Sequence, residues 1–305
     1  MIVVGIRLRP SVISVGNINI DISFYTPRFP EKDSEVEAEG FSVSHGGGAA
    51  NFATGISRLG IECGIVGCVG RDRFGMDAVA SLKEEGVWTQ NVLECDTETG
   101  TVGTIVERGG GTRTMIAWRG ANRMLLEAVR RADLSGSRHV HISNVPREVF
   151  FEVMERKGKA RVSFDPGGSA GLYDPEDLEG VDFILLNESE LRKIVGDERG
   201  TGKLLAVAGT VVEKQGARGA TLYMEGSVIR SPAFKADVVD TTGAGDAFDA
   251  GFVSALLYGN SLEAALRWGC AAAALKIQRK GAREGLPRLE RLLSFLGGLE
   301  GEGCE

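Results

Sequence analysis

An α/β fold is predicted, built on a largely parallel sheet with helices on both faces and carrying a small second sheet. Three observations predict it. Apolar runs rich in β-branched residues alternate with stretches whose apolar residues recur at helical spacing, and glycine closes several of those stretches. Two further segments alternate without any helical period.

Residues 12–15 (Val-Ile-Ser-Val) form the first strand. Residues 21–44 are polar and alternating, include Pro27 and Pro30, and suit strands of the small sheet. A helix over 49–59 stops at Gly60, a strand over 61–69 follows, and a helix over 76–85 stops at Gly86. Residues 101–118 alternate again around Gly109-Gly110-Gly111 and suit the same small sheet. Strands over 140–143 and 161–165 flank a helix over 147–156. Strands over 181–186 and 210–213 flank a helix over 188–195, stopped by Gly196, and another over 203–208. Val238-Val239-Asp240 ends a strand that turns through glycines into an apolar helix over 247–257, and the small, acidic tail from 297 to 305 is expected to fray. This gives one α/β domain over 1–305, with a discontinuous β flap from about 21–45 and 98–120, because a helix-strand-helix block separates its two parts.

With 305 residues, 43% hydrophobic and 25% charged, the composition is that of a soluble chain long enough for a large core, which excludes disorder. A net charge of −7 without a dominant Lys/Arg cluster argues against a nucleic-acid partner. Glycine, at 43 residues, is about twice as frequent as usual and lacks collagen's period, so it belongs to turns and close-approach loops. Cys63, Cys68, Cys95, Cys270 and Cys304 contain no CxxC pair and read as reduced, mostly buried thiols of a cytosolic protein. His139 and His141 would point to one face of a strand, where packing is the better reading because no third metal ligand is near. No apolar stretch reaches the roughly 18 residues of a membrane helix, and residues 1–10, with two arginines, are not a secretory signal. The expected place is the cytoplasm, with no membrane partner.

The strongest local signal is Asp240-Thr241-Thr242-Gly243-Ala244-Gly245-Asp246, glycines opening a helix. Unpaired N–H groups and a partial positive charge at a helix start attract a phosphate, and glycines let it approach. Asp246 opposes an anion there unless a cation intervenes or the carboxylate does proton chemistry; the plainer reading is a helix cap after a glycine turn. Gly202-Lys203 is not a Walker site, since Asp197 and Leu204 stand where the first glycine and the hydroxyl are needed. A dinucleotide fingerprint fails too, with Phe248 in the place of its third glycine. Gly46-Gly47-Gly48 opens another helix and brings N–H groups and the Asn51 amide to whatever docks there. Asn187 and Glu190 follow a buried strand at its carboxyl end, where they could face a ligand or a hydrated Mg²⁺, or simply cap a helix.

Together and in this order, these motifs resemble the ribokinase family of carbohydrate kinases, also called the phosphofructokinase-B group. The resemblance spans nearly the whole chain. It runs through Gly16 to Asp21, the glycine signature from Gly46 to Gly60, the turn Gly70-Arg71-Asp72-Arg73-Phe74-Gly75, the NxxE motif Asn187 to Glu190, and the DTxGAGD signature Asp240 to Phe248. It implies a ribokinase-like three-layer sandwich with a β lid, and a Mg²⁺-dependent transfer of a terminal phosphoryl group from a nucleotide such as ATP to a sugar or nucleoside hydroxyl. By the same resemblance, Asp246 would be the general base and the N–H groups of Gly243, Ala244 and Gly245 an anion hole. Asn19, Asp21, Gly47 and Asn51 would hold substrate hydroxyls; Asn187 and Glu190 would act through Mg²⁺ and its waters; Gln215, Gly216 and Gly219 would bind the nucleotide. Asp240, Thr242 and Gly281 could supply ligands to a monovalent cation such as K⁺, although Gly285 stands where ribokinases place a serine. Gly167 and Ser169 replace an Asn and an Arg common in sugar-acid kinases, which weakens a ketodeoxygluconate-type specificity. Arg113 and Arg119 read as solvated lid residues that could also meet a carboxylate or phosphate. The lid could equally serve as a homodimer interface. A non-catalytic sugar or nucleotide sensor has no need of a base at Asp246, and an oxidoreductase lacks its fingerprint.

Overall fold

The structure, a computed structural model, describes residues 10–107, 113–196 and 200–298. The expected Gly109-Gly110-Gly111 turn, Asp197, the first nine residues and the end of the tail with Cys304 lie outside them. In chain order the strands are β1 (Val12–Gly16), β2 (Asn19–Thr26), β3 (Gly40–Gly46), β4 (Cys63–Gly70), β5 (Trp88–Cys95), β6 (Gly100–Glu107) and β7 (Arg113–Trp118). They continue as β8 (His139–Ser143), β9 (Arg161–Asp165), β10 (Phe183–Asn187), β11 (Val211–Lys214), β12 (Ala220–Met224) and β13 (Ser227–Ser231). The helices are α1 (Gly48–Arg58), α2 (Arg73–Glu84), α3 (Leu125–Arg131), α4 (Arg147–Arg156) and α5 (Glu188–Val195), then α6 (Thr201–Leu205), α7 (Ala244–Leu257), α8 (Leu262–Lys276) and α9 (Leu289–Gly298).

Every residue of β1 is buried, as a central strand covered on both faces must be, and β1 pairs in parallel with β4 and β8. The nine-stranded sheet runs β13-β12-β11-β10-β9-β8-β1-β4-β5, parallel from β11 to β5, with β12 antiparallel to both β11 and β13 at the other edge. One core layer lies under α3, α4 and α5 and centres on Phe150, Phe164 and Tyr173, whose rings meet edge to face at 5.0–5.5 Å or tilted at 4.9 Å. The other lies under α1, α7 and α8. His139 Nε2 and His141 Nδ1 each lie 2.8 Å from the Ser163 hydroxyl, and burial holds both imidazoles neutral, near a pKa of about 3, as packing groups. Cys63, Cys68, Cys95 and Cys270 are buried free thiols. No helix among the described residues is long and apolar enough to cross a membrane.

The second sheet has four strands in the order β3-β2-β6-β7. Its register places Phe41, Phe24 and Ile105 in one row and Val43, Ile22, Gly103 and Ile116 in the next, all on one face. Asp21 lies on the opposite face, in a row with Ser44, Val102 and Ala117.

Val238-Val239 corrects the reading. The pair is exposed and irregular, because the N–H groups of Val239 and Asp240 both donate to the Ile277 carbonyl, at 2.8 and 3.0 Å, rather than to a neighbouring strand.

Candidate active site

Parallel strands that end in register bring their last residues to one edge. Gly16 of β1 faces Ser143 of β8, Ser143 faces Asp165 of β9, and Asn187 of β10 faces Lys214 of β11. The start of α7 reaches the same edge. Gly243 caps it with φ 76°, and a Cβ at that position would lie 2.7 Å from the Ala282 carbonyl, so only glycine lets the two segments touch.

Asp246, in the first turn of α7, accepts a 2.7 Å hydrogen bond at Oδ2 from Asn51 Nδ2. Asn51 Oδ1 in turn accepts from Arg283 Nε at 3.0 Å, and Arg283 Nη2 donates to the Gly46 carbonyl at 2.9 Å. A guanidinium can only donate, so it forces the Asn51 oxygen toward itself and the Asn51 amide N–H toward Asp246. Burial raises Asp246 from 3.8 to about 6, with the Asn51 bond opposing the rise. Such a carboxylate is ionised at neutral pH yet basic enough to take a proton. Asn51 is buried, and both of its polar atoms serve this chain of contacts.

Asp21 belongs to the same cluster. Its carboxylate packs on Gly46, where a Cβ would come within 2.2 Å of it, and burial raises it to about 6 against the pull of Arg283. Asn19, two residues earlier, accepts from the Asn122 amide at 2.8 Å, while Gly47 leads into α1 beside the Asn17 carbonyl. The expected substrate residues are therefore brought together around Asp246.

The glycine loop is more engaged than the sequence implied. Ala244 N–H donates to the Thr241 carbonyl at 3.1 Å, so in this state it is not free for an anion. Asp240 Oδ1 accepts from the Thr242 N–H and hydroxyl, at 2.9 and 2.7 Å, and Oδ2 from the Gly281 N–H at 2.9 Å. Burial would raise that carboxyl, but these donors outweigh it and hold it low. Arg113, read as a solvated lid residue, reaches across from β7 to the Thr242 and Thr241 hydroxyls, at 2.9 and 3.4 Å; Arg119 is exposed.

Lys214 lies below the loop. Its ammonium bonds Asp165 at 2.8 Å and Asp249 at 3.1 Å, and a Cβ on Gly245 would sit 3.4 Å from it. Burial would lower this lysine, but the two carboxylates win and raise it. Burial also pushes Asp249 well up, while burial of Asp165 is outweighed by Lys214, which holds that carboxyl low. Asn187 and Glu190 bond each other reciprocally: Asn187 Oδ1 accepts the Glu190 N–H at 3.0 Å, and Glu190 accepts the Asn187 N–H at 2.8 Å and its side-chain amide at 2.6 Å. Burial, then the charge of Asp165, raises Glu190 to about 7. Gln215 accepts from the Thr221 hydroxyl at 3.2 Å and opens the short turn Gly216–Arg218 beyond β11, which Gly219 closes against residues 231–233. Among the described residues no group of three or more His, Cys, Asp or Glu side chains is arranged to hold a metal directly.

Arg283, Lys214 and Lys276 were missed by sequence reasoning. Lys214 had a signal, a lone lysine ending an apolar strand; Arg283 and Lys276 had none, being part of an outwardly basic run.

The model of the pfkB family carbohydrate kinases matches residues 9–289. An ATP-dependent ribose-1-phosphate kinase of Halopiger xanaduensis is 30% identical over 93% of this chain and 97% of its own length. Among solved structures, the nucleoside kinase of Methanocaldococcus jannaschii superposes with a TM-score of 0.85 at 25% identity, covering 94% of this chain and 98% of that one. Arabidopsis thaliana ribokinase, complexed with ribose and ATP, gives 0.83 at 28% identity, covering 95% and 99%.

Proposed function

The chain belongs to the pfkB family of carbohydrate kinases, and from that premise we propose that it transfers the terminal phosphoryl group of ATP to a free hydroxyl of a ribosyl acceptor, a sugar or a nucleoside. One observation carries the reading: Asp246, raised to about 6 and locked by Asn51, stands at the helix start where a phosphate is favoured and in the same cluster as Asp21. The similar proteins act on ribose, ribose 1-phosphate or nucleosides, which share the ribosyl ring.

In this reading Asp21 and Asn19 hold acceptor hydroxyls, Gly47 lets the acceptor lie close to the backbone, and Asp246 takes the proton from the attacking hydroxyl. The N–H groups of Gly243 and Gly245, joined by that of Ala244 once it leaves Thr241, receive charge developing on the phosphoryl group. Gln215, Gly216 and Gly219 line the nucleotide end. Mg²⁺ would neutralise the phosphates, held through water by Glu190 and Asn187; a carboxyl kept partly protonated by burial beside Asp165 is a donor set that a dication would satisfy. The four-stranded sheet acts as the lid, with Asp21 on its inner face. Its outer face, with exposed Phe24, Phe41, Val43 and Ile116, is the surface we assign to a homodimer. The cytoplasm remains the proposed compartment.

The test is nucleotide consumption against a panel of sugars, sugar phosphates, sugar acids and nucleosides. Turnover with a ribosyl compound above all others supports the reading. No turnover with any member, in a folded protein that binds ATP, would leave a sensor instead.

A further inference from the structure

The segment that leads into the glycine loop is clamped to the end of α8. Ile277 accepts the N–H groups of Val239 and Asp240, and the neighbouring Lys276, fully buried, returns its ammonium to the Asp240 carbonyl at 2.8 Å. Burial lowers this lysine and Arg113 adds to the fall, while the carboxylates of Asp240, Glu284 and Asp246 oppose it and favour the ammonium. A cation belonging to the chain is thus buried under the loop.

The side-chain donors that could take a free monovalent cation, and the Asp240 carbonyl, are meanwhile engaged within the chain. Both oxygens of Asp240 accept from Thr242 and Gly281, the Thr242 hydroxyl donates to Asp240, and the Asp240 carbonyl receives Lys276. Gly285 cannot be replaced by a serine ligand without rearrangement, since a Cβ there would lie 2.2 Å from the Lys276 carbonyl. With the Lys276 ammonium already on the Asp240 carbonyl, the side-chain donors of this set do not fit an added K⁺.

We propose that the Lys276 ammonium is a built-in monovalent cation. It holds Asp240 and so fixes the N–H groups from Gly243 to Asp246, and phosphoryl transfer needs no added K⁺. Lys276 acts through the loop and is a positioning residue; the inference rests on reading that loop as the phosphoryl site.

Turnover and melting temperature would be measured in KCl, NaCl and tetramethylammonium chloride at one ionic strength. The wild type should vary by less than about twofold in turnover among them, and its melting temperature should not depend on which is present. Lys276→Met keeps the volume and loses the charge, and its kcat should fall by about tenfold or more with the acceptor KM little changed. Lys276→Ala should regain turnover in K⁺ or NH₄⁺ but not in tetramethylammonium, and its melting temperature should rise in K⁺ over tetramethylammonium. Melting needs no substrate, so it separates failure of this proposal from failure of the kinase reading. Activation or stabilisation of the wild type by K⁺ would overturn the proposal, as would unchanged turnover in Lys276→Met. If neither variant folds, the wild-type series still decides.

Discussion

Asp246→Asn should make the protein more stable and nearly inactive. The substitution keeps the shape, and the new amide can turn its oxygen to Asn51 Nδ2, so the 2.7 Å contact survives. What is lost is the proton acceptor, a contribution typically of about 10²–10⁴-fold in kcat. The stability effect follows from burial: a carboxyl raised from 3.8 to about 6 in the folded chain disfavours its ionised form by about 3 kcal/mol. Below pH 3.8 the group is neutral in both folded and unfolded chains, and the wild type has its full stability from this site. As pH rises through 6 the folded chain must ionise a buried group, and that stability is lost. The variant never meets this loss, so at pH 8 it should be more stable by up to about 3 kcal/mol, on the order of 5 °C for a chain of this size. The advantage should shrink toward zero near pH 4. Calorimetry across pH 4–8 reads the first effect and a coupled nucleotide-consumption assay the second. A variant with kcat within tenfold of wild type, or with no extra stability at pH 8, would refute the reasoning.

Asp21→Ala removes charge-assisted hydrogen bonds worth about 1.5–3 kcal/mol each, so the acceptor KM should rise at least about tenfold while the nucleotide KM stays; the reverse pattern would exchange the two ends of the cleft. Gly245→Val should fold, because its Cβ would meet only the Lys214 ammonium at 3.4 Å, yet lose turnover by covering the loop N–H groups; an active variant with normal melting would reduce the loop to a turn. Arg283→Met strands the Asn51 oxygen and the Gly46 carbonyl, destabilising by about 1–3 kcal/mol for each buried acceptor left unpaired. It also removes a charge that lowers Asp246, so the acid limb of kcat/KM should move to higher pH, and an unmoved limb would deny Arg283 any hold on the base. Glu190→Gln should raise the Mg²⁺ concentration needed for half-maximal turnover, with the acceptor KM unchanged; an unaltered Mg²⁺ titration would remove Glu190 from the metal's surroundings.

The strand and helix pattern was readable where one period held. Residues 147–156, 161–165 and 188–195 became α4, β9 and α5 with those bounds, since their apolar residues repeat cleanly. α8 escaped notice because its alanine run Ala271–Ala274, with Gly269 and Cys270, blurs the apolar period, and Val238-Val239 misled because two β-branched residues suit a strand while Ile277 holds them in a loop. The motifs that resemble the family were readable because glycines and acids at fixed spacing have few other uses. The cations were not. Residues 276–283 read Lys-Ile-Gln-Arg-Lys-Gly-Ala-Arg, a solvated basic run by composition, yet Arg279 and Lys280 are exposed while Lys276 and Arg283 are buried. Only the fold, which carries this segment between α1 and the glycine loop, separates them.

That separation explains the charge balance of the cleft. Asp21, Asp165, Asp240, Asp246, Asp249, Glu190 and Glu284 gather around only three buried or nearly buried cations, Lys214, Lys276 and Arg283. Each cation is tied to particular acceptors: Lys214 to Asp165 and Asp249, Lys276 to the Asp240 carbonyl, Arg283 to Asn51 and Gly46. None makes a direct ion pair with Asp246 or Asp21, and burial lifts both carboxylates to about 6 against the more distant pull of Arg283 and, for Asp246, Lys214. Direct pairing of any of these cations with Asp246 would return it toward the ordinary carboxylate range and make it a weaker base in the proposed reaction. The excess of carboxylates has a second consequence for the proposed reaction: a polyphosphate that entered this cleft would meet more negative charge than positive, which a divalent cation would offset. Under the proposed reading, fixing the lysines and the arginine to particular acceptors thus keeps Asp246 basic and gives the expected Mg²⁺ dependence an electrostatic cause.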